Sequence, residues 1–259
     1  MAKNFSLQSI SFQGVLDINK PGQYVSNFTF SFMQKGATQA WVGNMSGIQV
    51  VRENGSIETL NEAETRDMFT FLDGAGGKEL KKEFNLNSVR FQGAVDFKGQ
   101  KVLGDFAFSM IKEGASKLEK WAGSMVGISE LSGKPLSLER TKSISAFLMK
   151  DGKSFAKTWG TNGLQGIMFS GVIEGPAGKQ FQASFYYGLA SKGGQENKVW
   201  VAAITDILTL DGRILAGDDL KAMNNFMSVE GKEFTKAGNF NVERIHYIVV
   251  VCYPFVKET

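Results

Sequence analysis

The chain has 259 residues, which is long enough for one large core or for two or three smaller units. Its 42% hydrophobic and 21% charged residues exclude a disordered chain, and 21 Phe and 30 Gly beside only 4 Pro favour a sheet-rich fold. The net charge of +3 arises from interleaved Lys and Glu, which argues against the clustered basic surface of a nucleic-acid-binding protein.

The first predicted element is a strand within residues 9–18. Ile10 and Phe12 alternate with polar residues, and a period of two residues is typical of a strand with one buried face. We therefore expect Phe12 to face a core. The sequence KPGQ at 20–23 predicts a turn, and the alternating residues 28–32 predict a second strand that forms a hairpin with the first.

A third strand carries Trp41, followed two residues later by Gly43, and a fourth strand is expected before a helix. Residues 63–72 place apolar side chains three and four positions apart, which predicts that helix. The glycine-rich residues 73–79 come after it and are expected to form a loop. The first part of the chain thus predicts a unit of four strands and one helix.

This unit occurs three times in the sequence. The opening strand recurs as SFQGVLDI, RFQGAVDF and MFSGVIEG, and its phenylalanines are 79 and 78 residues apart. The tryptophans of the third strand are 80 and 79 residues apart. These six aromatic residues are Phe12, Phe91, Phe169, Trp41, Trp121 and Trp200. Landmarks that keep one order and nearly one spacing predict an internal triplication.

The predicted units span residues 1–83, 84–160 and 161–239, and residues 240–259 start a fourth. A unit of about 79 residues supports only a marginal core, and no linker separates the units, so we expect them to share one core. The predicted fold is α+β and β-rich, with three tandem β-β-β-β-α units in one compact body of approximate threefold symmetry. A C-terminal strand is expected to close the sheet that the first strand begins.

Helices are also expected in the second and third units, within residues 139–149 and 218–227. In both units an acidic residue and a glycine follow the helical pattern, with the glycines at Gly152 and Gly231. Because glycine is frequent immediately after a helix C-terminus, we expect both helices to end there.

The C-terminal residues contain the sole histidine, His246, and the sole cysteine, Cys252, in an apolar stretch that predicts a buried strand. One histidine and one cysteine supply neither an internal disulfide nor the usual metal ligands, so we expect no metal, no cofactor and no catalytic Cys-His pair. The N-terminal residues lack a continuous apolar run, and no run elsewhere is long enough to span a bilayer. We therefore expect no signal peptide, no membrane segment and a cytoplasmic location.

Two recurring sets of side chains are candidates for ligand binding. Carboxylates end each opening strand and could line a shared axis or bind a cation, although exposed acids before a hairpin turn are the simpler interpretation. Indoles recur in each third strand and could stack on sugars, although anchoring of each unit's core is the simpler interpretation. The six residues are Asp17, Asp96, Glu174, Trp41, Trp121 and Trp200.

These features favour a non-enzymatic structural protein that assembles into a homo-oligomeric ring, shell or filament, or that binds a partner protein, because repeated surfaces pack readily into symmetric assemblies. The main alternative is a carbohydrate- or other ligand-binding module with up to three equivalent sites. An enzyme whose site lies where Asp17, Asp96 and Glu174 meet is a third hypothesis. A ring-shaped DNA clamp is a fourth, but it requires basic helices, and residues 61–72 are acidic or neutral.

Overall fold

The computed structural model of the chain describes residues 7–16, 18, 23–35, 38–112, 119–159, 164–191, 198–230 and 242–245. These residues form a β-rich α+β fold, in which helices pack on one sheet of eleven strands. The strands are β1 (Ser9–Leu16), β2 (Gln23–Lys35), β3 (Thr38–Val51), β4 (Ile57–Glu58), β5 (Leu86–Phe97), β6 (Gln100–Lys112), β7 (Glu119–Ser129), β8 (Leu164–Glu174), β9 (Gln180–Ser191), β10 (Lys198–Thr209) and β11 (Val242–Ile245).

The sheet contains three antiparallel meanders that follow one another along the chain. The first meander is formed by β1, β2 and β3, the second by β5, β6 and β7, and the third by β8, β9 and β10. The last strand of each meander pairs in parallel with the next strand of the sheet: β3 with β5, β7 with β8, and β10 with β11. A parallel pairing needs a crossover connection, and each one here contains a helix.

The sheet is open, with β1 and β11 at its opposite edges. The expected closure of the sheet by a C-terminal strand is therefore not found in the described residues, and the predicted strand around His246 and Cys252 lies outside them. The fourth strand predicted for each unit is much shorter than expected. It is the two-residue β4 after the first meander and a single bridge between Leu208 and Ile214 after the third.

The described part of the chain has four α-helices and one short 3-10 helix, Pro176–Gly178. The α-helices are α1 (Glu62–Asp73), α2 (Ala75–Phe84), α3 (Leu138–Lys157) and α4 (Gly217–Val229). The three helices predicted from apolar spacing are therefore present as α1, α3 and α4. Among these described helices, no segment combines the length and the apolar character needed to cross a membrane.

Two predictions about glycine-rich positions are wrong. Residues 73–79 are not a loop, because α2 begins at Ala75. Gly152 does not end α3, which continues to Lys157. A glycine inside a helix costs about 1 kcal/mol, and the burial of Phe155 one turn later against Phe97 of the sheet offsets that cost. Helix α4 does end before Glu230, as predicted.

The two faces of the sheet differ. On one face, called the helix face here, alternate residues of the strands are buried, as in β5, where Val89, Phe91 and Val95 are buried. Helices α1, α2 and α3 contact strands on this face, and α4 contacts the 3-10 helix Pro176–Gly178 that follows β8. On the opposite face, called the open face, side chains such as Gln92 and Asp105 are half-buried or exposed.

The N-terminus of α1 is fixed by a capping box and an ion pair. The Asn61 side chain accepts a hydrogen bond from the Glu64 N–H at 3.0 Å, and the Glu64 carboxylate accepts one from the Asn61 N–H at 2.9 Å. The same carboxylate binds the guanidinium of Arg52, the residue after β3. This hydrogen bonding raises the pKa of Arg52 above its ordinary value and ties the helix to the sheet.

Candidate functional surface

One aromatic stack recurs in each meander, on the helix face. In the second meander, the ring centre of Phe91 lies 5.1 Å from that of Phe106 and 6.1 Å from that of Phe108. The corresponding separations are 5.3 and 6.0 Å around Phe12, and 4.8 and 6.1 Å around Phe169. These stacks form the apolar surface on which helices can pack.

Two helices dock on this surface through the same close contact. Thr65 of α1 lies over Gly93 of β5, and a Cβ atom placed on that glycine would lie 2.1 Å from the Thr65 Oγ1. Thr141 of α3 lies over Gly171 of β8, and the corresponding distance is again 2.1 Å. No side chain fits in so short a distance, so the glycine acts as a notch that receives the helix.

A backbone hydrogen bond accompanies each notch. The Ala94 N–H, next to the first notch, donates to the Leu60 carbonyl at 2.9 Å. The Val172 N–H, next to the second, donates to the Leu136 carbonyl at 3.2 Å. Leu60 and Leu136 are both buried and lead into α1 and α3, so each helix is anchored at its N-terminal end.

The first meander has a notch without a helix. Phe12 is 48% exposed, whereas Phe91 and Phe169 are each 3% exposed. The nearest atoms to a Cβ placed on Gly14 belong to Phe28 and Phe12 of the sheet itself. The prediction that Phe12 faces a core is therefore right about the side of the sheet and wrong about burial, because no described helix covers this position.

The uncovered surface, called the acceptor face here, spans the three strands of the first meander. Its residues are Ile10, Phe12, Gly14, Phe32 and Trp41. Ile10 and Phe32 are exposed, Gly14 and Trp41 are half-buried, and the rings of Phe32 and Trp41 are 5.3 Å apart. A contiguous apolar surface of this kind is uncommon on a monomer and is typical of a contact with another protein.

Helix α4 is exposed where the other helices are buried. Leu220 is the fifth residue after the buried Leu215. Thr65 in α1 and Thr141 in α3 hold the same position after the buried residues Leu60 and Leu136. Both threonines are fully buried, whereas Leu220 is 51% exposed. Met223 is the buried residue of α4, and Met227 is half-buried. On the side of α4 that corresponds to the docked side of α1 and α3, Leu220 is thus exposed, whereas Met223, one turn later, packs over Gly175 of the same chain.

The three recurring tryptophans have different environments. Trp121 is buried, and its indole N–H donates a hydrogen bond to the Gly77 carbonyl at 3.0 Å, so it is part of the core. Trp41 belongs to the acceptor face. Trp200 pairs through its backbone with Leu189, and its side chain lies outside the described part of the structure.

The recurring carboxylates are not brought together by the described strands. Asp96 accepts a hydrogen bond from the Gly99 N–H in the turn between β5 and β6. Glu174 ends β8, and its carboxylate lies 3.9 Å from the Lys142 ammonium group of α3. Strands β5 and β8 are separated by two others, which corresponds to about 14 Å across the sheet. Asp17 lies outside the described residues.

The open face carries two shallow grooves, with volumes of about 340 and 370 Å³. Asp105 and Val126 line both grooves. The Asp105 carboxylate accepts a hydrogen bond from the Gln92 amide at 3.0 Å, and Gln182 and Ser184 add polar groups to the first groove. These groups can orient a polar ligand, but both grooves are open to solvent.

The sequence pattern places Gly14 in the opening strand and Leu220 in the third predicted helix, but it does not identify either residue as part of a site. The available signal was the glycine two residues after the phenylalanine in every opening strand. A second signal was the Leu-to-Thr spacing of five residues that α1 and α3 share and that α4 changes by placing Leu220 at the threonine position. Only the contacts show that these two patterns belong to one docking geometry.

The described residues contain no group of three or more His, Cys, Asp or Glu side chains that could hold a metal ion. His246 and Cys252 lie outside this part of the chain. No protein-family model matches the chain, and no curated protein matches it significantly. The functional interpretation therefore depends on the acceptor face, α4 and the open-face grooves.

Proposed function

We propose that the chain is a structural subunit, built from three copies of one sheet-and-helix unit, that assembles with further copies of itself into a ring, shell or filament. The repeated sequence pattern, the three aromatic stacks and the two Thr–Gly contacts support the triplication. In the open sheet of the described residues, the three units lie side by side, each displaced from the previous one by the same number of strands, and they do not surround a threefold axis.

The observation that carries the proposal is the uncovered acceptor face. The second and third meanders bury their stacks under helices, whereas the first leaves Ile10, Phe12 and Phe32 exposed. Burial of one large apolar side chain contributes about 1.5–3 kcal/mol, so covering several of them favours association. A second copy brings the same surfaces in the same arrangement, which is the requirement for a repeating assembly.

Sedimentation velocity of the full chain over a range of micromolar concentrations tests this proposal. We expect species at multiples of 28.4 kDa whose fraction rises with concentration. The double variant Phe12→Ser, Phe32→Ser should shift the distribution towards the monomer, and Gln13→Ser, on the open face of β1, should not. A wild-type chain that sediments as a monomer throughout would contradict the proposal.

A ligand-binding module remains the second candidate, and the open-face grooves favour it. Two grooves that share Asp105 and meet near the Gln92–Asp105 hydrogen bond offer polar groups of the kind that orient a sugar. A glycan array with the wild type and Asp105→Ala tests this function. Binding that depends on Asp105 supports it, and an array without signal removes it.

A further inference from the structure

We propose that α4 of one copy docks on the acceptor face of the next copy, with Leu220 over Gly14 as Thr65 lies over Gly93 and Thr141 over Gly171. The helix contact alone is repeated between copies, because β11 of the same chain already holds the place beside β10. This inference rests on the proposed self-assembly, and it names the two surfaces that meet. It predicts a head-to-tail contact, in which one end of the sheet supplies the helix and the other end receives it.

The acceptor face has the features that receive a helix elsewhere in the chain. Strands β1 and β2 pair in the same register as β5 and β6, with Gly14 opposite Ser26 where Gly93 is opposite Gly104. The space over Gly93 is filled by the Thr65 side chain of α1, whereas the space over Gly14 is bordered by the aromatic rings of Phe12 and Phe28 in the same sheet. The first meander therefore retains a helix notch that its own described residues do not fill.

The backbone of β1 can also provide the accompanying hydrogen bond. Ala94, the residue after the notch in β5, donates its N–H to the carbonyl of the residue before α1. Val15 is the residue after Gly14, in the same register, and β1 is an edge strand. Its N–H is therefore placed to donate to a carbonyl that precedes an incoming helix, as edge amides do when they recruit another chain.

Helix α4 has the features of the missing occupant. In α1 and α3, the fifth residue after a buried leucine fills a glycine notch; these residues are Thr65 and Thr141. Leu220 holds the same position in α4. Leu220 is larger and more apolar than threonine, which suits a surface of exposed Ile10 and Phe12. Met223, one turn later on the same side of the helix, stays packed over Gly175 of its own chain, so Leu220 is the residue that reaches the next copy.

The charges are complementary as well. In the observed α3 contact, Lys142 lies 3.9 Å from Glu174 at the end of the opening strand. In the sequence, Lys221 holds the position of Lys142, directly after the notch-filling residue, and Asp17 holds that of Glu174. In the described structure Lys221 lies 4.0 Å from the Asp218 carboxylate of its own helix, and Asp17 lies outside the described residues, so this correspondence is one of sequence position.

The two surfaces lie towards opposite ends of the sheet, since β1 is one edge strand and α4 follows β10 near the other edge. We therefore expect a head-to-tail contact between neighbouring copies, and not a twofold pair. The contact is heterologous, so it leaves one free helix and one free acceptor face after each addition. Such contacts form rings when they close and filaments when they do not.

Two blocking variants test the contact. Gly14→Gln fills the notch, and Leu220→Lys places a charge on the docked side of α4. Their matched controls are Ser11→Gln, on the open face of the same strand, and Asn225→Lys, on the opposite side of the same helix. We expect each blocking variant to weaken self-association at least about tenfold and each control to leave it unchanged. Unchanged thermal unfolding midpoints would show that the blocked chains are folded.

A mixing experiment distinguishes this arrangement from others. Gly14→Gln retains a functional α4, and Leu220→Lys retains a functional acceptor face, so an equimolar mixture should form a dimer and nothing larger. Failure of the mixture to dimerise would overturn the proposal. Blocking variants that assemble like the wild type would also overturn the proposal. A loss of self-association in Gly14→Gln but not in Leu220→Lys would overturn it too, because the acceptor face would then bind another segment, such as the C-terminal residues. A monomeric wild type would instead refute self-assembly itself.

Discussion

Thr65 and Gly93 are in closer contact than any residue other than glycine allows, because a Cβ on Gly93 would lie 2.1 Å from the Thr65 Oγ1. The same distance separates Thr141 from a Cβ on Gly171. In β5 and β8, the glycine that recurs in the opening strands is thus a docking position for the preceding helix. At Gly14 the nearest atom to a Cβ is a ring carbon of Phe28, at 3.3 Å, and no described helix is present.

Alanine substitutions at the three notches should therefore have unequal effects. We expect Gly93→Ala and Gly171→Ala to lower the free energy of unfolding by about 1–3 kcal/mol, because the helix must move away from the sheet. Gly14→Ala should change it by less than about 0.5 kcal/mol, because only the Phe28 ring has to adjust. Urea unfolding of the three variants measures this. Equal losses at Gly14 and Gly93 would show that Gly14 already carries a helix of its own chain.

The tryptophans give a second comparison. Trp121→Phe removes a buried indole and leaves the Gly77 carbonyl without its hydrogen bond, so we expect a loss of about 2–4 kcal/mol. Trp41→Phe alters a half-buried ring beside Phe32 and should cost less than about 1.5 kcal/mol in the isolated chain. Urea unfolding at low protein concentration compares them, and a larger loss at Trp41 would contradict the assignment of Trp121 to the core.

Much of the fold follows from the sequence because the strands have one buried face. The alternation at Ile10 and Phe12 predicts the helix face correctly, and the spacing in 63–72, 139–149 and 218–227 predicts α1, α3 and α4. Periodicity reports which side of a strand is apolar, but it does not report whether another element covers that side. The exposure of Phe12 therefore could not be predicted from its own strand.

The glycines of α2 and α3 show why local propensity fails at some positions. Gly77 lies in α2 where a Cβ would be 2.0 Å from the Leu72 carbonyl oxygen, so the tight turn between α1 and α2 needs a residue without a side chain. Its carbonyl then accepts the Trp121 N–H, a contact between residues 44 positions apart. Such long-range contacts decide the helix, and the sequence near Gly77 carries no sign of them.

Alkaline pH should destabilise the chain through a buried tyrosine. Burial raises the pKa of Tyr187 from 10.0 to about 12, partly offset by the neighbouring Ser145 hydroxyl. Between these two values the unfolded chain releases the proton and the folded chain does not, so this contribution to stability falls as the pH rises through that window. The total fall is about 3 kcal/mol, or 1.4 kcal/mol for each pH unit.

Tyr187→Phe should remove this part of the pH dependence. We expect the difference in unfolding free energy between about pH 9 and pH 11 to be about 1.4 kcal/mol smaller in Tyr187→Phe than in the wild type. Tyr186→Phe is the matched control, because the neighbouring Tyr186 is exposed. If the two variants have the same pH dependence, the Tyr187 hydroxyl does not titrate as proposed.

The carboxylates should act separately. Asp96→Ala removes the acceptor of the Gly99 N–H and should cost about 1 kcal/mol, whereas Glu174→Ala breaks only an exposed ion pair with Lys142 and should cost less than about 0.5 kcal/mol. Millimolar calcium should leave the thermal unfolding midpoint of the wild type unchanged. A calcium-dependent rise that either substitution abolishes would instead show that the acids share one cation.

The proposed docking of α4 on the acceptor face is tested most directly by cross-linking. In a Cys252→Ser background, the variant Phe12→Cys, Leu220→Cys should be linked between chains by a short bismaleimide. Phe12 lies two residues before Gly14 on the same face of β1, so the first cysteine is beside the notch and leaves it empty. Denaturing electrophoresis should show a ladder at multiples of 28.4 kDa. A pattern no different from that of Val15→Cys, Leu220→Cys, in which the first cysteine is on the open face, would contradict the account.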